Sequence, residues 1–308
     1  MSEPAPPPGA PGPADAVAPV CYRHPTRETY IRCNRCDRPI CPECMVSAAV
    51  GFQCPECVAE GRRTVRQTRT VFGGKVYERP GLVTTTIVGL CVAAYLVQVA
   101  VPSTTGKGEM FGLAVASGEW WRLITAGFLH LSLVHILFNM WGLWVLGKPL
   151  EAMLGRARFG VLYAVSLFAG STVSYLFANP QGASVGASGA IFGLAGGMIV
   201  VAKRMQWNLS WLVGIVALNF LLPFVVANID WHAHVGGLVA GMIVTAGFVY
   251  TPRRLRVVGA VAVVAVITVV CVGLVAHRTQ QIRQDPRYAS VFQLGGVITG
   301  DGDFRPFP

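Results

Sequence analysis

Charge is what this sequence has least of. Asp, Glu, Lys and Arg make up 13% of 308 residues, and only 15 residues are acidic. Soluble domains usually carry about a quarter of their residues as charges, so a soluble globular fold is excluded for most of the chain. Hydrophobic residues reach 53%. No Asp or Glu falls inside any long apolar run, which argues against an ion or proton path, since such a path places polar groups at several depths. No HExxH stretch occurs, so zinc-dependent peptide hydrolysis of that kind has no ligands here. Cysteine is nearly absent beyond residue 57: Cys91 and Cys271 remain, both within apolar runs, and read as packing residues. No cleavable signal peptide is expected, because residues 1–19 are rich in Pro, Ala and Gly without an apolar core and read as a disordered leader.

Seven apolar segments of spanning length are present, at about 81–101, 124–147, 158–178, 187–202, 209–228, 232–250 and 256–276. With the N-terminus inside, fourteen Lys and Arg between Arg62 and Arg256 fall on inner flanks. Lys107 and Arg122 alone fall in outer loops, and four arginines lie in the outer tail. That bias orients the chain by the positive-inside rule and makes the net charge of +10 a topology signal. No nucleic-acid partner is expected, since the basic residues are dealt out between helices. The organisation read from this is a leader (1–19), a cysteine-rich module (20–60), a basic linker against anionic headgroups (61–79), a six-helix core (80–250), a seventh helix (251–277) and a polar outer tail (278–308). The fold class is an all-α polytopic membrane protein behind a small metal-stabilised cytoplasmic domain. The expected location is the plasma membrane, with the C-terminus outside.

The front module carries Cys21-x2-His24, Cys33-x2-Cys36, Cys41-x2-Cys44 and Cys54-x2-Cys57. Eight soft ligands in four pairs suit two tetrahedral Zn2+ ions. Disulfides would need an oxidising compartment, whereas the topology places the module in the cytoplasm. The module is too small to hold a core alone, so two structural zinc ions would carry its fold. With every coordination position filled by protein, neither site is built for catalysis. The module resembles a B-box-type zinc finger. That resemblance implies interleaved pairing, with Cys21, His24, Cys41 and Cys44 on one ion and Cys33, Cys36, Cys54 and Cys57 on the other; sequential pairing stays open. A cytoplasmic protein is its expected partner.

Polar groups inside apolar spans are costly and point to function. Ser188 lies in "SVGASGAIFGLAGG", His135 and Asn139 share a face four residues apart, and His234 precedes Gly237 and Gly241. Counted at about 1.5 Å per residue from Lys203, Tyr250 and Lys148, these groups fall in the outer third of the membrane. A hydroxyl needs a base, which a neutral imidazole supplies near pH 7, and a tetrahedral oxyanion needs donors in place. The small-residue stripe Gly189, Gly193, Gly197 on one helix matches Gly237 and Gly241 on another and would bring Ser188 to His234. His135, Asn139 and the Ser188 N–H are the candidate oxyanion donors, and Phe192 would stack on the base. His232 points about 200° away and is expected at the surface. His130 is read as a structural hydrogen-bonder.

This combination resembles the rhomboid intramembrane serine proteases. Gly186-Ala187-Ser188-Gly189 matches their G-x-S-G element, His130, His135 and Asn139 their second helix, Ala233-His234 with Gly237 and Gly241 their sixth, and Trp121-Arg122 their first outer loop. The resemblance covers about residues 80–250. It implies a Ser188/His234 dyad without an acidic third member, which leaves Asp230 as a loop or cap residue. It also implies single-pass membrane proteins as substrates, cut near the outer face. A non-proteolytic relative acting as chaperone or adaptor, or a transporter, is the alternative reading.

Overall fold

A computed structural model of the chain describes residues 18–64, 68–77, 81–221, 229–293, 296–298 and 304–306. The chain divides into two compact units, 1–67 and 68–308. Most of the expected leader lies outside the described residues.

In the first unit, two short strands, β1 (Val46–Ser47) and β2 (Phe52–Gln53), pair antiparallel and lead into α1 (Pro55–Thr64). Its interior is built from cysteines: Cys21, Cys33, Cys41, Cys44, Cys54 and Cys57 are buried, with Ile40 the aliphatic side chain buried among them. A core this poor in hydrocarbon cannot offset chain entropy by burial alone.

In lipid the backbone must satisfy its own hydrogen bonds, so long apolar runs become helices. Among the described residues six helices are long and apolar enough to cross a membrane: α2 (Leu82–Ala100), α6 (Leu133–Leu154), α7 (Arg156–Phe177), α8 (Ser188–Met205), α10 (Trp231–Tyr250) and α11 (Arg256–Gln284). The shorter α3 (Ser103–Gly108), β3 (Met110–Phe111), α4 (Gly112–Ser117) and α5 (Arg122–Thr125) lie between α2 and α6, and β4 (Ala183–Ser184) lies between α7 and α8. The fifth expected span begins as α9 (Ser210–Leu221); its continuation over 222–228 lies outside the described residues.

Two boundaries differ from expectation. The second span was expected from residue 124, but α6 starts at Leu133, where the Ser132 hydroxyl accepts from the His135 N–H at 3.2 Å. Upstream, α5 passes into a 3-10 turn over Ala126–Phe128 and then extended backbone at Leu129. The seventh helix runs to Gln284 instead of ending near 276. Its extra turns are held by burial of Ile282 in a cluster with Met110, Phe111 and Leu113 and by Arg283 Nε donating to Ala116 O at 2.6 Å.

α8 is the central helix. In its most apolar stretch 67% of residues are buried, against 22% for α2 and 6% for α11. Around it Leu143, Leu150 and Leu154 of α6, Phe159 and Leu162 of α7, and Val244 and Phe248 of α10 form the main core. One carboxylate belongs to this scaffold. Glu151 is 2% exposed and accepts from Val83 N (3.0 Å), Thr84 N (2.8 Å) and Thr84 Oγ1 (2.8 Å), so α6 caps the N-terminus of α2.

Candidate active site

Ser188 opens α8 and His234 lies in the first turn of α10. The two helices meet backbone to backbone. A β-carbon on Gly237 would stand 1.9 Å from Gly189 O, and one on Gly241 would stand 2.1 Å from Gly193 O. Small residues are therefore required along this seam, and the close approach sets the separation of the functional side chains. His234 Nε2 lies 2.9 Å from Ser188 Oγ. The Phe192 ring stacks on the imidazole at 4.2 Å between centroids with planes 7° apart. His234 is buried, and its Nδ1 has no partner among the described residues.

Asp230 supplies no bond to that Nδ1. Its Oδ1 accepts from Ala233 N at 3.2 Å, capping α10, and its Oδ2 accepts from Ser174 Oγ at 2.5 Å, tying α10 to α7. His232 is half-buried beside Trp231, with ring centroids 4.0 Å apart, and its Nδ1 lies 3.5 Å from Asp230 Oδ1.

Gly186 adopts φ +130°, in the region that favours glycine. A β-carbon there would meet His135 Nε2 at 2.8 Å and Ser188 Oγ at 3.7 Å, so the serine and the His135 ring flank one small space. Asn139 is buried one turn further along α6; its Nδ2 donates to His135 O at 2.9 Å, and its Oδ1 has no partner among the described residues. His130, read above as a structural hydrogen-bonder, bonds through its main chain. Its N–H donates to Gln98 Oε1 (3.0 Å) and its carbonyl accepts from Gln98 Nε2 (3.3 Å), while both ring nitrogens lack partners among the described residues. The ring meets His135 edge-on at 5.1 Å.

Two features escaped the sequence. β3 pairs antiparallel with β4, Met110 opposite Ser184, so the stretch between α2 and α6 holds the segment that enters Ser188. Arg122, counted above as an outer-loop charge, is 1% exposed: it donates from Nε to Glu119 (2.7 Å) and from Nη1 to the carbonyls of Gly106 and Glu109 (both 2.8 Å). A cavity of about 20 Å³ lined by Ser171, Ser174, Gly186 and Asp230 has room for one water.

The first unit holds two further clusters. The ligand atoms of Cys21, His24, Cys41 and Cys44 lie within 4.8 Å of one another, as do those of Cys33, Cys36, Cys54 and Cys57, so the pairs interleave. His24 Nδ1 stands 3.9, 3.3 and 3.4 Å from the three sulfurs of its cluster, and Cys36 Sγ stands 3.7 Å from Cys54 Sγ. Tetrahedral zinc with Zn–S near 2.3 Å requires sulfurs about 3.8 Å apart, so the residues fit such an ion. Arg38 Nε donates to Cys36 Sγ at 3.3 Å and holds that thiol below its ordinary pKa. Burial and then the neighbouring Cys54, Cys36 and Cys33 sulfurs push Cys57 up to about 12. A bound dication relieves that crowding of negative charge.

The rhomboid domain family matches residues 117–253. YdcA of Bacillus subtilis (strain 168), a rhomboid protease candidate by name, is 38% identical over 140 residues, 44% of this chain and 70% of that protein. Rhomboid protease AarA of Providencia stuartii is 27% identical over 211 residues, 56% of this chain and 75% of that protein. Rhomboid protease GluP of Bacillus subtilis is 38% identical over 137 residues, and there the match spans 27% of the relative's length. The chain belongs to the rhomboid family.

Proposed function

We propose that this protein is an intramembrane serine peptidase that hydrolyses peptide bonds in or near the membrane-spanning segments of other membrane proteins. The observation that carries the reading is the buried Ser188 Oγ to His234 Nε2 contact of 2.9 Å under the Phe192 ring. At that distance the imidazole takes the hydroxyl proton as Oγ attacks the scissile carbonyl carbon. The N–H groups in the first turn of a helix have no intrahelical acceptor, so the Ser188 N–H is available to the developing oxyanion. His135 Nε2, beside Gly186, and the Asn139 amide are the other donors. Collapse of the tetrahedral adduct breaks the C–N bond, His234 hands its proton to the leaving amine, and an acyl ester stays on Ser188. A water then gives a proton to His234 as its oxygen attacks the ester carbonyl; collapse of this second adduct breaks the C–Oγ bond, releases the carboxyl product and returns the proton from His234 to Ser188 Oγ. Without a hydrogen-bonded acid at His234 Nδ1, the reading is a dyad held by stacking and burial.

The two clusters of the first unit are assigned to Zn2+ in structural sites, with a cytoplasmic protein as the module's partner. The orientation is N-terminus inside and C-terminus outside at the plasma membrane, with single-pass proteins as substrates. The test is a pair of variants in purified, reconstituted protein. Ser188→Ala and His234→Ala should abolish cleavage of a single-pass reporter without loss of the folded protein, and a fluorophosphonate should label Ser188 in the unmodified chain. His232→Ala should keep most activity. An active His234→Ala with a dead His232→Ala would reverse the assignment of the base.

A further inference from the structure

At the end of the second unit opposite Ser188, four arginines gather with no carboxylate in ion-pair range among the described residues. Ser188 and Arg204 lie 16 residues apart on α8, about 24 Å along the helix. Beside Arg204 is a cavity of about 440 Å³ lined also by Arg253 and Arg256, with Val71, Phe72, Val249 and Tyr250 as its apolar and aromatic wall. A fourth guanidinium stands next to it: a β-carbon on Gly73 would meet Arg256 Nη1 at 2.7 Å and Arg158 Nη1 at 3.6 Å. Arg158 donates to Phe72 O, and Arg69 Nη1 donates to Gly73 O at 3.1 Å. Among the described residues no carboxylate lies within ion-pair distance of Arg158, Arg204, Arg253 or Arg256, and Arg256 Nε is buried without a hydrogen-bond partner.

A second field points at the same place. α11 begins at Arg256, its 29 residues carry no acid in the first turn, and its N-cap Leu255 offers no side-chain acceptor. The positive end of that helix dipole is uncompensated there. Like charges from α7, α8, the α10–α11 connection and α11 are thus held together beside hydrocarbon. Such an arrangement is relieved by an anion that brings its own apolar tail.

We propose that Arg204, Arg253 and Arg256, walled by Phe72, Val249 and Tyr250, form a binding site for the phosphate headgroup of an anionic phospholipid. The bound headgroup joins α11, only 6% buried along its most apolar stretch, to the rest of the core. The site uses none of the residues assigned to catalysis, so its test is independent of cleavage.

The full chain in neutral detergent is titrated with phosphatidylglycerol, phosphatidylcholine or inorganic phosphate. Thermal midpoint and lipid retained in native mass spectrometry are recorded. Phosphatidylglycerol should raise the midpoint and remain bound, and the other two should do neither at equal concentration. The Arg204→Gln/Arg256→Gln double variant should lose affinity for phosphatidylglycerol by about 10- to 30-fold, since each arginine near a charged headgroup is worth ~1 kcal/mol. A charge-matched Arg278→Gln/Arg287→Gln variant should keep it. A monodisperse size-exclusion profile and a lipid-free thermal midpoint near the parent's report that each variant is folded, and Arg253→Gln alone serves should the double variant fail that check. Equal response to the two lipids, or wild-type affinity in the arginine variants, overturns the site. A full effect from inorganic phosphate overturns lipid as its occupant.

Discussion

Replacing Gly237 by alanine is the sharpest test of how the fold sets the proposed dyad. The added β-carbon would fall 1.9 Å from Gly189 O, where ordinary contact begins near 3.4 Å. The obstruction is backbone, so no side chain can rotate away, and α10 must move from α8 by about 1.5 Å. His234 sits one turn earlier on the same helix, and its 2.9 Å contact with Ser188 Oγ would open past hydrogen-bond range. Overpacking of this kind costs ~1–3 kcal/mol, and a misplacement of about 1 Å at reacting atoms costs ~10²-fold in rate. Gly89→Ala is the control, because nothing lies within 4 Å of its β-carbon and alanine favours a helix by up to ~1 kcal/mol over glycine. Reporter cleavage, fluorophosphonate labelling rate and thermal midpoint would be measured on both variants in one lipid composition. Gly237→Ala should turn over ~10²-fold more slowly with a lowered midpoint, while Gly89→Ala should match the parent's turnover with an equal or slightly raised midpoint. Wild-type turnover in Gly237→Ala would refute the claim that this seam sets the Ser188–His234 distance.

Three further outcomes are expected. Asn139→Ala should slow cleavage by ~10²- to 10³-fold, the usual worth of one oxyanion donor, while Ser188 is still labelled; undiminished turnover removes Asn139 from the site. Purified protein should contain two zinc ions per chain by metal analysis, one for each cluster, and replacing Cys33 and Cys36 by serine should leave one; an unchanged content would break the pairing. Glu151→Ala leaves Val83 N, Thr84 N and Thr84 Oγ1 without their acceptor. It should lower stability by ~2 kcal/mol in denaturant titration with little change in kcat, and an unaltered midpoint would show that α2 needs no cap from α6.

The residues the sequence made legible are those whose signal is local. The x2 spacing of the cysteines is enough to group them in pairs, and the two glycine stripes follow from counting along each helix. The start of α6 was misjudged by nine residues because the apolar run from 124 continues through the 3-10 turn at Ala126–Phe128 without any change in composition. Only the Ser132 cap and the extended residues before it mark the true boundary. That error also weakens depth counted from Lys148, since α6 continues to Leu154 beyond it. Arg122 and Glu151 were invisible as scaffold for another reason. A charge beside an apolar run reads as a flank, and its burial depends on carbonyls and N–H groups supplied from elsewhere in the chain, such as Gly106 for the arginine and Thr84 for the glutamate. The pairing of Met110 with Ser184 is likewise long-range, with only two residues per strand and no periodicity to betray it.

The helix starts explain why a hydrolytic site is feasible in so apolar a chain. Ser188 is the first residue of α8, His135 the third of α6 and His234 the fourth of α10. Each lies in the first turn of its helix, where N–H groups lack an intrahelical acceptor and the dipole favours negative charge. On the proposed reading, a tetrahedral oxyanion at Ser188 would develop at the start of α8, with the positive ends of α6 and α10 beside it. The same placement costs little when substrate is absent, because helix ends lie nearest to water. Two of the ends are capped by Ser132 and Asp230, but α8 has no side-chain cap. That leaves the amides beside Ser188 free for the developing charge. A side-chain acceptor placed there should compete with it: Ala187→Asp, at the N-cap of α8, would occupy first-turn N–H groups and set a carboxylate beside the oxyanion. Cleavage should fall by about 10²-fold or more, the worth of one lost donor, and because Ala187 is fully buried the thermal midpoint should fall as well. Ala187→Gly offers no acceptor and should cost far less activity. Equal turnover in the two variants would mean that the α8 amides take no part in holding the charge.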